Sequence, residues 1–301
     1  MRPALLVVGH GTKSEKGCAE FGDLVEAVGG AAPHADVEGG FLELAPPPVQ
    51  QAVNRLTEAG HTTVDVVPLV LVAAGHSKGD IPAALERERL RHPGLTFRYG
   101  RPLGPHPLLL AELEARLEAV VPRMLWGDTA VVLVGRGATD PDANAEVAKT
   151  ARLLLEGRGI GTVETAFISL AEPSVPDGLE RAWRLGYARI VVLPYFLFAG
   201  VLPDRIRTQA QAWADEHPDV EVHAAGLVGP GERLARLVVE RWSEISGGDL
   251  RMNCDTCAYR VLLPGFEDKQ GAPQTPHDHP DDPASPHGHA HGHGHASGAA
   301  H

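Results

Sequence analysis

Apolar positions along the chain switch repeatedly between two periods. Short, mainly apolar runs at residues 3–9, 37–42, 64–74 (with Asp65 and Pro68) and 95–99 read as strands. Between them, apolar residues recur every three or four positions, as in Phe21, Leu24, Val25 and Val28, and predict helices over 19–28, 46–59, 80–92 and 107–121. Prolines open the second of these helices, and Asp80, before Ile81-Pro82, is placed to cap the third. After a linker at 122–128 the order starts again, with strands at 130–135, 163–168, 190–198 and 220–224 and a last helix at 232–245. Strands alternating with helices predict parallel sheets covered on both faces, so the expected fold is α/β.

The second half repeats the first. Ala4-Leu-Leu-Val-Val-Gly-His-Gly-Thr12 returns 126 positions later as Ala130-Val-Val-Leu-Val-Gly-Arg-Gly-Ala138. Glu58-Ala-Gly-His-Thr-Thr-Val-Asp-Val-Val-Pro68 returns at the same offset as Arg184-Leu-Gly-Tyr-Ala-Arg-Ile-Val-Val-Leu-Pro194, and Leu103-Gly-Pro105 as Val228-Gly-Pro230, one residue out of step. Two copies predict two similar lobes with a cleft between them. The lobes are placed at 1–122 and 128–246, followed by a segment at 247–270 and a tail at 271–301. The apolar skeleton repeats and the ionisable residues do not: His10 faces Arg136, Glu43 faces Ser169, and His76 faces Val201 or Leu202.

A chain of 301 residues, 43% hydrophobic, has enough apolar side chains for two cores. A net charge of −12 argues against nucleic acid or an anionic membrane surface as partner. No segment approaches the ~20 apolar residues of a membrane span. The apolar run near the N-terminus is too short for a signal peptide, and three cysteines do not make a secreted disulfide framework. The expectation is a cytoplasmic protein, monomeric or homodimeric.

His10, Glu43 and His76 are spaced 33 residues apart, each just past a predicted strand of the first copy. Ligands of open α/β sheets bind at the carboxyl ends of the strands. One histidine after a strand is most often an ordinary loop residue, and Glu43 alone would serve as a helix-start carboxylate before Pro46. Three equivalent strand ends in one copy favour a site. Two imidazoles and a carboxylate suit Co²⁺, Fe²⁺, Ni²⁺ or Zn²⁺, and also proton transfer near neutral pH. Gly9-His-Gly-Thr12 completes neither a dinucleotide fingerprint nor a phosphate-binding loop. His34, His61, His92, His106, His217 and His223 lack the strand-end context and read as surface or structural residues.

With Gly9-His-Gly-Thr12, Phe41-Leu-Glu-Leu-Ala45 and its prolines, and Pro68-Leu-Val-Leu-Val-Ala-Ala-Gly-His76 with Asp80-Ile-Pro82, the chain resembles the sirohydrochlorin chelatases over residues 1–250. These are ATP-independent class II enzymes that insert cobalt or iron into a tetrapyrrole for cobalamin or sirohaem synthesis. The resemblance implies a two-lobed chelatase-like fold, sirohydrochlorin and a divalent metal as substrates, and His10, Glu43 and His76 as the metal-delivering, proton-accepting site. Co²⁺ is favoured, with Fe²⁺ and Ni²⁺ as alternatives. The second lobe departs from the pattern at all three positions, so no catalytic role passes to it. Sirohydrochlorin carries eight carboxylates, and Lys13, Lys78, Arg136 and Arg205 near the strand-end mouths are the candidates to meet them.

Past residue 246 the composition changes. Cys254 and Cys257 form a Cys-x-x-Cys that reads as a redox pair, half a metal site or two plain thiols. Its Met-x-Cys-x-x-Cys form resembles the long cobalt-inserting members, where that motif is linked with an iron–sulfur centre. Eight of the sixteen histidines lie in the tail, among them the alternating His287, His289, His291, His293 and His295. Neutral imidazole suits cobalt, nickel and zinc, and a stretch so poor in apolar residues is expected to be disordered and to hold metal. A non-catalytic metal reservoir or chaperone is therefore the rival reading from another class.

Overall fold

The computed structural model describes residues 2–247. In the first half, β1 (Ala4–Gly9), α1 (Glu15–Ala31), β2 (Asp36–Phe41), α2 (Val49–Glu58) and β3 (Thr63–Pro68) lead to a π turn at His76–Asp80. Then come α3 (Ile81–Arg91), β4 (Thr96–Tyr99) and α4 (Pro107–Glu118). A 3-10 turn at Arg123–Asp128 joins the halves. The second half runs β5 (Ala130–Gly135), α5 (Pro141–Leu155), β6 (Thr162–Phe167), α6 (Val175–Arg184), β7 (Arg189–Pro194), α7 (Val201–Glu216), β8 (Glu221–Ala224) and α8 (Glu232–Gly247). The expected α/β alternation is present, with two parallel four-stranded sheets ordered β2-β1-β3-β4 and β6-β5-β7-β8.

Both faces of each sheet are covered, which is why the strands read as continuous apolar runs. Leu5 and Val7 of β1, with Val131 and Leu133 of β5, point into one core shared by the two lobes. Ala4, Leu6 and Val8 face α2 and α3 on one outside, and Ala130, Val132 and Val134 face α6 and α7 on the other.

The shared core is built by an exchange of helices. The last helix of each half packs on the other half's sheet: α4 lies against α5 and β7, and α8 against α1 and β3. The sequence copies at 1–122 and 128–246 therefore do not coincide with the units that pack together. Arg241 anchors α8 to the loop after β4, donating to the Pro102 and Leu103 carbonyls at 3.0 and 2.6 Å. Trp242 Nε1 donates to Asp65 in β3 at 2.8 Å, which satisfies a carboxylate buried inside an otherwise apolar strand.

Four boundaries differ from the pattern for a physical reason. The apolar run at 64–74 leaves the sheet after Pro68, because β1, its neighbour, ends at Gly9. The Val70 and Leu71 carbonyls instead accept from Leu103 N and Gly104 N, while Leu71 and Val72 pack on the shared core. The run at 190–198 stops at Pro194 in the same way, with Phe196 and Leu197 serving Val228 N and Gly229 N. Asp80 is no cap, since it already has helical dihedrals as the last residue of the π turn. The prolines at 46–48 precede α2 in an extended segment, where the Pro47 carbonyl accepts from Phe41 N at 2.8 Å.

Candidate metal-insertion site

Reversal of strand order at β1 opens a crevice at the carboxyl ends of the first sheet, and the loops bearing His10, Glu43 and His76 leave β1, β2 and β3 at that edge. Gly11, at φ +111°, lets the first loop lie against the second; a Cβ there would strike the Glu43 carbonyl oxygen. Glu43 N donates to the His10 carbonyl at 3.1 Å, and the side chains meet with His10 Nε2 at 3.2 Å from Glu43 Oε1. The imidazole is 28% exposed and the carboxylate 12%, so the pair is reachable from solvent but held by protein. His10 Nδ1 lies 3.3 Å from the Gly11 carbonyl. Such a pair can take a proton, with the carboxylate fixing the ring and balancing its charge. His76 opens the π turn beyond β3. Among the described residues, no three His, Cys, Asp or Glu side chains are grouped to hold a metal ion.

The second lobe turns its own strand ends toward this pair. Gly137 repeats the Gly11 geometry against Ser169, and Arg136 takes the place of His10. Arg136 is exposed at the surface. Desolvation by neighbouring protein lowers its pKa, and the Glu43 charge acts against that shift. The first-lobe carboxylate thus acts electrostatically on a second-lobe guanidinium.

Two contacts related by the repeat close the lobes on each other. Ala73 N donates to Glu146 Oε2 at 2.7 Å, and Ala199 N donates to Glu20 Oε2 at 2.7 Å. Glu20 and Glu146 stand 126 positions apart, so here an ionisable residue does repeat, contrary to the expectation that none would. That match was the available signal for an inter-lobe role.

The four basic candidates are placed differently. Lys13 and Arg205 are exposed, the latter with Nη2 3.5 Å from the Ile168 carbonyl. Lys78 departs from its expected role at the mouth. Its ammonium is buried between Asp140 and Asp142 of the second lobe, at 2.7 and 3.2 Å, and docks the π turn that begins at His76. Two carboxylates already neutralise it, which leaves little charge for a substrate. Nothing near Lys78 in sequence announces partners more than 60 residues away.

The histidines expected to be structural have such surroundings. His61 is buried 2.9 Å from Asp36, His106 caps α4 through Leu108 N, and His217 stacks on Trp213. Cys254, Cys257 and His287, His289, His291, His293 and His295 lie outside the described residues. Cys18, on α1, directs its Sγ to the Thr12 carbonyl at 3.4 Å. An iron–sulfur cluster takes four thiolates; with Cys18 engaged in the N-terminal lobe, a cluster on Cys254 and Cys257 would need other ligands or a second subunit.

Two parallel sheets in tandem, with the His10–Glu43 pair at the strand ends of one lobe, define a two-lobed chelatase-like α/β protein. The CbiX family model matches residues 4–120 and again 130–245, and the chain belongs to that family. It is 38% identical over 261 residues to a sirohydrochlorin cobaltochelatase of Priestia megaterium, covering 86% of this chain and 85% of that protein. A sirohydrochlorin ferrochelatase of the same organism is 33% identical over 212 residues, or 69% of this chain and 78% of that one. The crystal structure of the sirohydrochlorin chelatase SirB from Bacillus subtilis subspecies spizizenii, in complex with cobalt, superposes with a TM-score of 0.70 at 28% identity. That match covers 82% of this chain and 97% of the other.

Proposed function

We propose that this chain inserts a divalent metal, preferentially Co²⁺, into sirohydrochlorin for cobalamin synthesis, without ATP. The observation that carries the reading is the His10–Glu43 pair, 3.2 Å apart at the strand-end crevice beside Arg136. Metal insertion requires a hydrated cation to lose water and the free-base macrocycle to lose two pyrrole protons. His10 and His76 hold the metal and take up protons, and Glu43 orients His10 and offsets the charge it gains. Arg136 and Arg205 meet peripheral carboxylates of the substrate, as guanidinium groups do bidentately, and the Lys13 ammonium meets one as a point charge. Lys78 is assigned to docking the His76 turn.

The cobaltochelatase relative supports cobalt. The ferrochelatase relative supports a second reading, Fe²⁺ insertion toward sirohaem. Among the described residues no helix is long and apolar enough to cross a membrane. The reading places the chain in the cytoplasm, as monomer or homodimer. The tail histidines would raise the local metal concentration.

The deciding experiment is an anaerobic absorbance assay with sirohydrochlorin and Co²⁺, Fe²⁺ or Ni²⁺, the fastest metal being the one assigned. The same assay on a chain ending before His277 separates enzyme from reservoir. A chelatase keeps its rate in excess cobalt and slows only when cobalt is scarce, whereas no turnover with any metal removes the catalytic reading.

A further inference from the structure

The loops after β2 and β6 share a feature that metal and proton chemistry does not use. Leu44 and Leu170 stand 126 positions apart, and both have left-handed backbones, at φ +67° and +60°. Each is the centre of a three-residue turn: Ala45 N donates to the Glu43 carbonyl at 2.8 Å, and Ala171 N to the Ser169 carbonyl at 2.8 Å. The positive-φ form of this turn is rare and strained, and glycine or asparagine adopts it more readily than leucine. Core packing does not explain the leucines, because Leu44 is 37% exposed and Leu170 64%. A strained backbone that presents an apolar side chain to solvent points to something that side chain touches.

Their neighbours say what. Leu44 follows Glu43, and Leu170 follows Ser169, its counterpart beside Arg136. Val201, exposed at the start of α7, follows Gly200, where an added Cβ would meet Thr12 Oγ1 of the His10 loop at 3.4 Å. Arg205 reaches toward the Ile168 carbonyl, two residues before Leu170. Apolar side chains interleaved with guanidinium groups at one crevice complement a flat, largely apolar ring with carboxylates on its edge.

We propose that Leu44 and Leu170 are substrate-binding residues that make apolar contact with the faces of the tetrapyrrole, one from each lobe. This assignment rests on the chelatase reading above. It gives the second lobe, which lacks the histidines, a share in binding, and it accounts for leucine at a position where the backbone alone favours glycine.

The test is a fluorescence titration of metal-free sirohydrochlorin under anaerobic conditions, with a thermal melt of each variant. Leu170→Gly and Leu170→Asn both suit the left-handed backbone and remove the apolar surface. Each is expected to raise Kd about ten-fold, the effect of losing partial burial of one leucine, with Tm unchanged or higher. Leu170→Met retains an apolar side chain on the same backbone and is expected to bind within about two-fold of the wild type. The Leu44 series should follow the same order. Wild-type Kd in both the glycine and asparagine variants overturns the proposal, as does a binding loss matched by a fall in Tm. No binding of sirohydrochlorin by the unaltered chain would instead overturn the chelatase reading and this one with it.

Discussion

His10 and Glu43 sit in loops, partly open to solvent, and neither side chain belongs to a core cluster. Their replacement should therefore separate chemistry from stability. His10→Ala is expected to lower kcat at least about 100-fold, the usual contribution of a positioned acid or base, with Tm nearly unchanged. Glu43→Gln keeps a hydrogen-bonding partner for the imidazole but removes the charge, so a similar loss of kcat with metal affinity retained would assign Glu43 to orientation rather than ligation. Arg136→Ala should raise KM about ten-fold while kcat stays close to wild type, because a guanidinium binds carboxylates but neither ligates metal nor accepts a proton near neutral pH. Steady-state kinetics with sirohydrochlorin and Co²⁺ measure all three, and a collapse of kcat in Arg136→Ala would show that both lobes share the chemistry. At this scale the sequence placed His10 and Glu43 just past strand ends, where the structure brings their side chains together. Lys78 was not legible, because its role depends on two carboxylates from the other lobe.

Among the elements, α8 carries the most consequential long-range contacts. Glu244 on α8 accepts both arms of Arg101 at 2.7 Å and is also bonded by Arg241. The Arg101 hydrogen bonds hold its carboxyl below the ordinary glutamate value of 4.5, with help from the Arg241 charge and against partial burial. A depressed carboxylate pKa contributes stability that is present above the unfolded value and lost as pH falls through the folded one. Glu244→Gln should therefore lower Tm at pH 7, and the gap from wild type should close as the pH drops below about 4.5. A gap that stays constant from pH 7 to pH 3 would mean that the contact contributes by shape and not by charge. Strands β1 and β5 were readable from sequence almost to the residue, since their ends coincide with the end of an apolar run at glycine. The tail of β3 was not, because Leu71 and Val72 are apolar to suit the inter-lobe core and not a sheet.

For the whole molecule, the exchange of α4 and α8 makes the halves interdependent. A chain of residues 1–122 lacks α8, so the face of the first sheet carrying Leu5, Val7 and Val67 loses that part of its cover, and Asp65 loses Trp242. That fragment alone is expected to aggregate or to melt without cooperativity, and co-expression with residues 123–301 should restore a soluble complex. A sharp, reversible melt of the isolated fragment, followed by near-ultraviolet circular dichroism, would refute the interdependence. It would also mean that the covering helix contributes little beyond the contacts each half makes for itself.

The sequence by itself determined the alternation of strands and helices, the duplication at an offset of 126 residues, and the loops that carry His10 and Glu43. Those follow from local periodicity, which a strand or helix must obey whatever it packs against. Only the tertiary structure decided which helix covers which sheet, that Glu20 and Glu146 clasp the facing backbone, and that Lys78 docks between the lobes. Those contacts join groups 62 to 179 residues apart. They are fixed by the way two already amphipathic lobes meet, and no local pattern records which surface of one will face the other.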